Sequence, residues 1–289
     1  MKYLTKEWYG AAQKSDFHLL LKASKQAASF SAEYFKALYK KEEANWLKFQ
    51  EEVADVRLED IFTEEASNLS RFDGKQMTSE ELERSRKIYA ELREQILRYS
   101  MNRSAFDSEL EKRNFRKRFN KQVKHLQSNL PDGILKKVAD IRVLALNCAT
   151  AEVIEEITAF CKANENAVEA ASKRYDEEYQ NSFKEQEPPF VKDFCFHDCT
   201  VASCHKKGKS LVIELDNAGG FTNISQITFK NCTVLKQDKP LHGAWWLYEE
   251  IYKTEDGYEI HVLLDKKYPQ LIDFIVHATD VLYERENLS

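Results

Sequence analysis

Residues 194–208 read FCFHDCTVASCHKKG and gather Cys195, Cys199 and Cys204 with His197 and His205. Read as a strand from Phe194 to Val201, the segment turns Phe194 and Phe196 to one face and Cys195, His197 and Cys199 to the other, because side chains alternate along an extended backbone. Thiols and an imidazole along one face can hold zinc, with Cys204 or His205 as a fourth ligand. The spacing argues against it. Closed zinc sites draw pairs two to four residues apart from tight turns, and no CxxC pair comes from another segment. Free cysteine is also a common small core residue. Packing is therefore the expectation for Cys195, His197 and Cys199, with no cofactor; zinc is the alternative.

A second group lies in WWLYEEIYKTEDGYEIHVLL, residues 245–264. A two-residue turn at Asp256–Gly257 pairs Tyr252 with His261, whereas a four-residue turn sets Glu250 across from His261. Either turn leaves Trp246, Tyr248, Glu250, Tyr252, Glu259 and His261 on one face. Trp245, Leu247, Ile251, Ile260, Val262 and Leu264 make the other, a core face. A carboxylate beside an imidazole can move protons or bind a metal. Such cross-strand pairs are more often minor contacts on a solvated sheet. An exposed face of Trp, Tyr and Tyr with a few charges has the composition of a protein-contact surface. Binding is the expected role of this face, unless helices of the first domain cover it.

The third group is EKRNFRKRFNKQVK, residues 111–124, with Lys112, Arg113, Arg116, Lys117, Arg118, Lys121 and Lys124. Phe115, Phe119 and Val123 share one face, so this is a basic amphipathic helix. Such a helix suits a nucleic acid or a membrane surface. Acidic runs around Glu42–Asp60 and Glu152–Glu178 offer intramolecular counter-charges, so nucleic-acid binding is not favoured. GxxxxGK[ST], GxGxxG, GxSxG, HExxH and ExxH motifs are all absent, which removes the usual sequence evidence for nucleotide, hydrolase and metallopeptidase chemistry.

The elements that must position these groups differ on either side of residue 187. Upstream, glycine occurs only at Gly10, Gly74 and Gly133 and proline only at Pro131, while Glu, Lys, Ala and Leu dominate. The texture is helical. Ser31 caps one helix, and Thr78 with Glu81 has capping-box spacing before another; LPDG at 130–133 is a break. KEQEPPF at 184–190 ends in two prolines that cannot continue a helix. Beyond it, period-two segments at 210–216, 224–235, 245–252, 258–264 and 274–284 read as strands, the last with a closing helix as its alternative. The expected fold is α+β: an all-helical domain over 1–187 followed by a mainly antiparallel β domain over 188–289.

With 43 Lys and Arg against 48 Asp and Glu, the net charge of −5 gives no global attraction to nucleic acid or an anionic membrane. No run approaches the roughly 20 apolar residues of a membrane span, and a cytoplasmic location without membrane contact is expected. The six cysteines lack regular spacing and are expected as free thiols.

The opening MKYLTKEWYGAAQKSDFHLLL and the segment GAWWLYEEIYKTEDGYEIHVLLD resemble a family of bacilli and related Firmicutes, domain of unknown function 4085. That resemblance implies a cytosolic bacterial protein and brings no catalytic residue with it. FHDC, LVIELD and ITFKNC are similar to β-rich modules of bacterial immunity proteins, a likeness of fold and not of function. Together these readings lead to a protein that acts by binding another protein, more a non-enzyme than an enzyme. The alternative is a metal-dependent enzyme or sensor using Cys195, His197 and Cys199, or Glu250 with His261.

Overall fold

A computed structural model describes residues 1–56, 71–72, 75–76, 86, 90, 94, 105–184, 187–220, 222–266 and 270–285. Contacts divide the chain into two compact units, one of residues 1–19 with 155–289 and one of residues 20–154. The change of sequence texture falls elsewhere, near 187. The expected α+β class is what the chain adopts, with helices in the N-terminal half and an antiparallel eight-strand sheet in the C-terminal part.

In the unit of residues 20–154, α2 (Ala32–Asp55) follows α1 (Lys6–Ala12), which belongs to the other unit. Ser31 caps α2 as expected, its hydroxyl accepting the Tyr34 N–H at 3.1 Å. Helix α3 (Ser108–Asn129) is capped by Asp107, whose carboxylate accepts from Glu109 and Leu110. It stops where the sequence anticipates: Leu130 precedes Pro131 and is extended, with ψ 143°. Two single turns, α4 (Asp132–Leu135) and α5 (Ile141–Leu144), follow. Aromatic contacts fix the pairing of α2 with α3. Phe35 meets Phe119, Tyr39 meets Phe115, and the Trp46 indole donates to Glu111. Rising numbers on one helix meet falling numbers on the other, so the two run antiparallel. Leu38, Phe115, Val143 and Leu146 are the buried centre of this unit. Short strands β1 (Lys22–Ala23) and β4 (Cys148–Ala149) pair in parallel, and β2 (Arg71–Phe72) pairs with β3 (Lys75–Gln76). The capping box at Thr78 and Glu81 lies outside the described residues.

In the other unit, β5 (Thr200–Lys207), β6 (Ser210–Asp216), β7 (Ile224–Lys230), β8 (Thr233–Gln237), β9 (Trp245–Lys253), β10 (Tyr258–Asp265), β11 (Leu271–Ala278) and β12 (Asp280–Arg285) form one sheet. Its order is β12-β7-β6-β5-β9-β10-β11-β8. The region 274–284 is therefore strand, not helix. Only Asn231 and Cys232 separate β7 from β8, and only Thr279 separates β11 from β12. Because β7 pairs with β12 and β8 with β11, these are two long bent strands paired along their whole length. The sheet thereby closes on itself as a small barrel, which leaves few free edges. β5 completes the ring: its Thr200 stands opposite Trp245, and Val201 donates to Ala244 at 2.9 Å. Alternate residues such as Leu211, Ile213, Ile227, Phe229, Ile260, Val262, Phe274 and Val276 fill the interior. The long helix α6 (Ala151–Ser182) packs Tyr179 against the same core cluster, and Phe183, just past its end, is buried within it.

Candidate functional site

The hairpin β9–β10 turns through four residues and sets Glu250 across from His261, Glu259 across from Tyr252 and Tyr248 across from Leu263. The register then shifts. Leu264 faces Trp246, so Leu247 is the extra residue of a β-bulge. That extra residue reverses the alternation for the start of the strand. Trp246 consequently points into the barrel with Ile251, Ile260, Val262 and Leu264, and it is fully buried. Trp245, expected in the core, is 56% exposed. The strict alternation that placed Trp246 beside Tyr248 is corrected by one inserted residue.

The rest of the aromatic face is not open either. Glu250, Tyr252 and His261 are all buried. The chain's own first residues and α6 cover them within the same unit. Trp8 meets Tyr248 edge-on at 4.8 Å, and its indole donates to Val168 O of α6. The Lys2 ammonium lies 3.7 Å above the Tyr252 ring, and the Tyr175 hydroxyl takes the Ile251 N–H. Burying rings from three elements against one another removes more apolar surface from water than leaving them on a solvated face. The expectation of an exposed face through Trp246, Tyr248, Glu250, Tyr252, Glu259 and His261 thus gives way to its stated exception, cover by helices.

At the centre lies the Glu250 carboxylate. Oε1 accepts the N–H groups of Tyr3 at 2.7 Å and Leu4 at 2.5 Å, while Oε2 accepts that of Lys2 at 2.7 Å and the Tyr252 hydroxyl at 2.8 Å. Three successive backbone N–H groups aimed at one anion form a nest; here the anion is the protein's own. Burial raises this carboxyl, but the His261 imidazole and the three N–H groups outweigh it and hold it at about 2. His261 Nδ1 stands 3.5 Å from Oε2 and makes no hydrogen bond, while Nε2 meets Glu259 at 2.5 Å. The imidazole is thus set between two carboxylates.

The adjacent Glu249 was not singled out by sequence reasoning, and alternation alone could have flagged it as a charge on a core face. It points inward beside Trp246, whose indole donates to it at 2.8 Å. Burial pushes its carboxyl up to about 7. Lys2, Tyr3 and Leu4 were also missed, since they act through backbone groups that carry no side-chain signature.

The opening cysteine segment is not a strand from Phe194. A 3₁₀ turn, Val191–Asp193, leads into irregular chain, and β5 begins only at Thr200. Phe194 and Phe196 are buried and Cys195 is exposed, as alternation suggests. Asp198 then adopts a left-handed backbone, φ 68°, and turns Cys199 inward. Cys199 is fully buried, and burial raises its thiol to about 11. His197 remains half-exposed, its Nδ1 3.2 Å from Asp198. Among the described residues, no three His, Cys, Asp or Glu side chains gather in a metal-holding group. All six cysteines are free thiols.

The basic helix belongs to the unit of residues 20–154. The Lys112 ammonium pairs with Glu109 at 2.7 Å. Arg113, Arg116, Lys117, Arg118, Lys121 and Lys124 are exposed, and none pairs with a carboxylate of the described residues. Arg118 packs on the Trp46 ring, 5.1 Å from its centroid. Among the described residues, the counter-charges expected from neighbouring acidic helices do not pair with this row.

The family described as protein of unknown function (DUF4085) matches residues 74–272, more than half of the chain. The chain belongs to the DUF4085 family. The match includes α3, β5 to β10 and the first part of β11, and ends before the second half of the bent strand that closes the barrel. Neither a curated protein nor a solved structure matches the sequence. Among the described residues of this DUF4085 member, no helix is long and apolar enough to cross a membrane.

Proposed function

We propose that this chain is a non-catalytic protein that works by binding another protein, and that its contact surface is the exposed basic row on α3. The observation that carries the reading is the row itself. Six cations stand on one helix without a carboxylate partner among the described residues. Like charges held this close repel one another, and a partner that brings counter-charge relieves the repulsion. The hairpin face, by contrast, is occupied by the chain's own residues 2–8 and α6. Its strongest acid, Glu250, has its oxygens taken by N–H and O–H donors. The test is a photo-crosslinking amino acid placed at Lys117 of the full chain in an extract of its source cells. A discrete protein adduct is expected, absent when the same group is placed at Lys207 on β5. No adduct, or the same adducts from both positions, contradicts the reading.

A second reading, acid–base chemistry at His261, is favoured by one observation: a buried imidazole flanked by Glu250 and Glu259 with Nδ1 free of hydrogen bonds. It requires the N-terminal segment to move off the face. Deleting residues 1–5 while the fold persists, followed by turnover or metal uptake that His261→Gln abolishes, supports it; a deleted chain inert in both assays contradicts it.

A further inference from the structure

The charge of the chain is unevenly divided. The unit of residues 20–154 carries 25 Lys and Arg against 22 Asp and Glu, whereas residues 1–19 with 155–289 carry 18 against 26. The overall −5 therefore hides one unit of +3 and one of −8. Within the positive unit the charge is concentrated: from Lys112 to Lys124 seven residues are basic and none is acidic.

The geometry of that stretch is ordered. At about 100° per residue, Arg113, Lys117, Lys121 and Lys124 fall within an arc of about 80°. Phe115, Phe119 and Leu126 occupy the opposite side, where Phe115 and Leu126 are buried. At a rise of about 1.5 Å per residue, the four cations are spaced by about 6, 6 and 4.5 Å along the axis. A second helix with acidic residues in the same 4-4-3 pattern repeats those steps without drift. An extended peptide advances about 6.6 Å for every two residues and slips by about 3 Å over the row.

We infer that the α3 row docks an acidic helix of a partner protein, with carboxylates spaced four, four and three residues apart. The inference rests on the binding reading above and names the chemistry of its partner. A nucleic acid fits less well. Among the described residues, α3 itself presents no exposed ring for bases to stack on: Phe115 is buried, Phe119 is half-buried against Phe35 and Tyr39, and Trp46 of α2 lies under Arg118. Exposed ion pairs are individually weak, so the row sets orientation and association rate and makes the complex salt-sensitive.

The experiment is fluorescence anisotropy with the full chain and a labelled helical peptide bearing Glu in the 4-4-3 pattern on an Ala background. A peptide of the same composition with its Glu residues spread around the helix is the control, beside a 20-nucleotide single-stranded DNA and an RNA duplex. The patterned peptide is expected to bind at least about fivefold tighter than the control and to weaken at least about tenfold between 50 and 300 mM NaCl. Lys117→Glu/Lys121→Glu/Lys124→Glu should abolish binding, and the milder Lys117→Gln/Lys121→Gln should weaken it, both with an unchanged melting temperature. Equal binding of the two peptides, no binding of the patterned one, or tighter binding of either nucleic acid overturns the inference. A protein adduct at Lys117 that persists beside such a result leaves the binding reading standing without the acidic helix; loss of both removes both.

Discussion

The backbone N–H of Tyr3 meets the carboxylate of Glu250 at 2.7 Å across a sequence separation of 247 residues, and Lys2 and Leu4 donate to the same group. One buried anion thereby fixes the first residues of the chain onto the barrel. The carboxylate is taken out of water, yet its donors are preorganised backbone groups that need a partner wherever they are buried.

Glu250→Ala removes that partner and leaves three N–H groups and a tyrosine hydroxyl unsatisfied. A loss of about 3–5 kcal/mol is expected by urea denaturation, with earlier proteolysis within residues 1–12. Glu250→Gln keeps one acceptor oxygen and should lose less. The folded carboxyl lies near 2 against a usual 4.5, so its contribution is present above pH 4.5 and is lost as pH falls towards 2. That acid-side slope should be absent in Glu250→Gln.

Glu249 titrates the other way. Its folded carboxyl lies near 7 against a usual 4.5, so the folded state holds its proton more tightly than the unfolded chain. Stability from this group is complete below pH 4.5 and declines as pH rises through 7. Glu249→Gln should therefore melt higher than the parent chain at pH 8 and nearly equally at pH 4.5, as measured by calorimetry. A melting temperature lowered at pH 8 would count against the inward placement.

The bulge at Leu247 decides which of two adjacent tryptophans faces the core. Trp246→Ala should cost about 3–5 kcal/mol, since it empties a fully buried indole site. Trp245→Ala, at 56% exposure, should change stability by less than about 1 kcal/mol. Fluorescence follows the same division, with the blue-shifted emission lost in the first variant and retained in the second.

Gly220 is fixed by close approach. A Cβ at this position would lie 2.4 Å from the Cys199 Sγ and 3.2 Å from the His197 carbonyl oxygen. Gly220→Ala should push the turn off the 197–199 loop, lower the melting temperature and raise the reactivity of Cys199 towards a maleimide. Cys199→Ala combined with Gly220→Ala should recover part of the loss.

Much of the fold is legible because it rests on local signals. Ser31 caps its helix, Leu130–Pro131 ends α3, and the run 210–216 is a strand with the bounds its alternation implies. The four-residue turn that sets Glu250 against His261 is also among the readings the sequence allows. What could not be read there depends on single irregularities and distant partners. One bulge residue sends Trp246 inward, and one left-handed Asp198 separates Cys199 from Cys195. The cover over Glu250 comes from backbone groups some 246 to 248 residues away, which no spacing reveals. Counter-charge was legible in composition, but its contacts were not: among the described residues, no acidic side chain pairs with the six cations of the α3 row.

The most direct test of that row is lysine footprinting. The chain, purified or in an extract of its source cells, is treated briefly with an acetylating reagent and read by mass spectrometry. Lys117, Lys121 and Lys124 are expected to be protected several-fold in extract, while the exposed Lys206, Lys207 and Lys209 of the β5–β6 hairpin react alike in both. Protection that survives nuclease treatment but disappears at high salt is the expected result. Equal reactivity of all six lysines in both samples would contradict the claim that α3 is the contact surface.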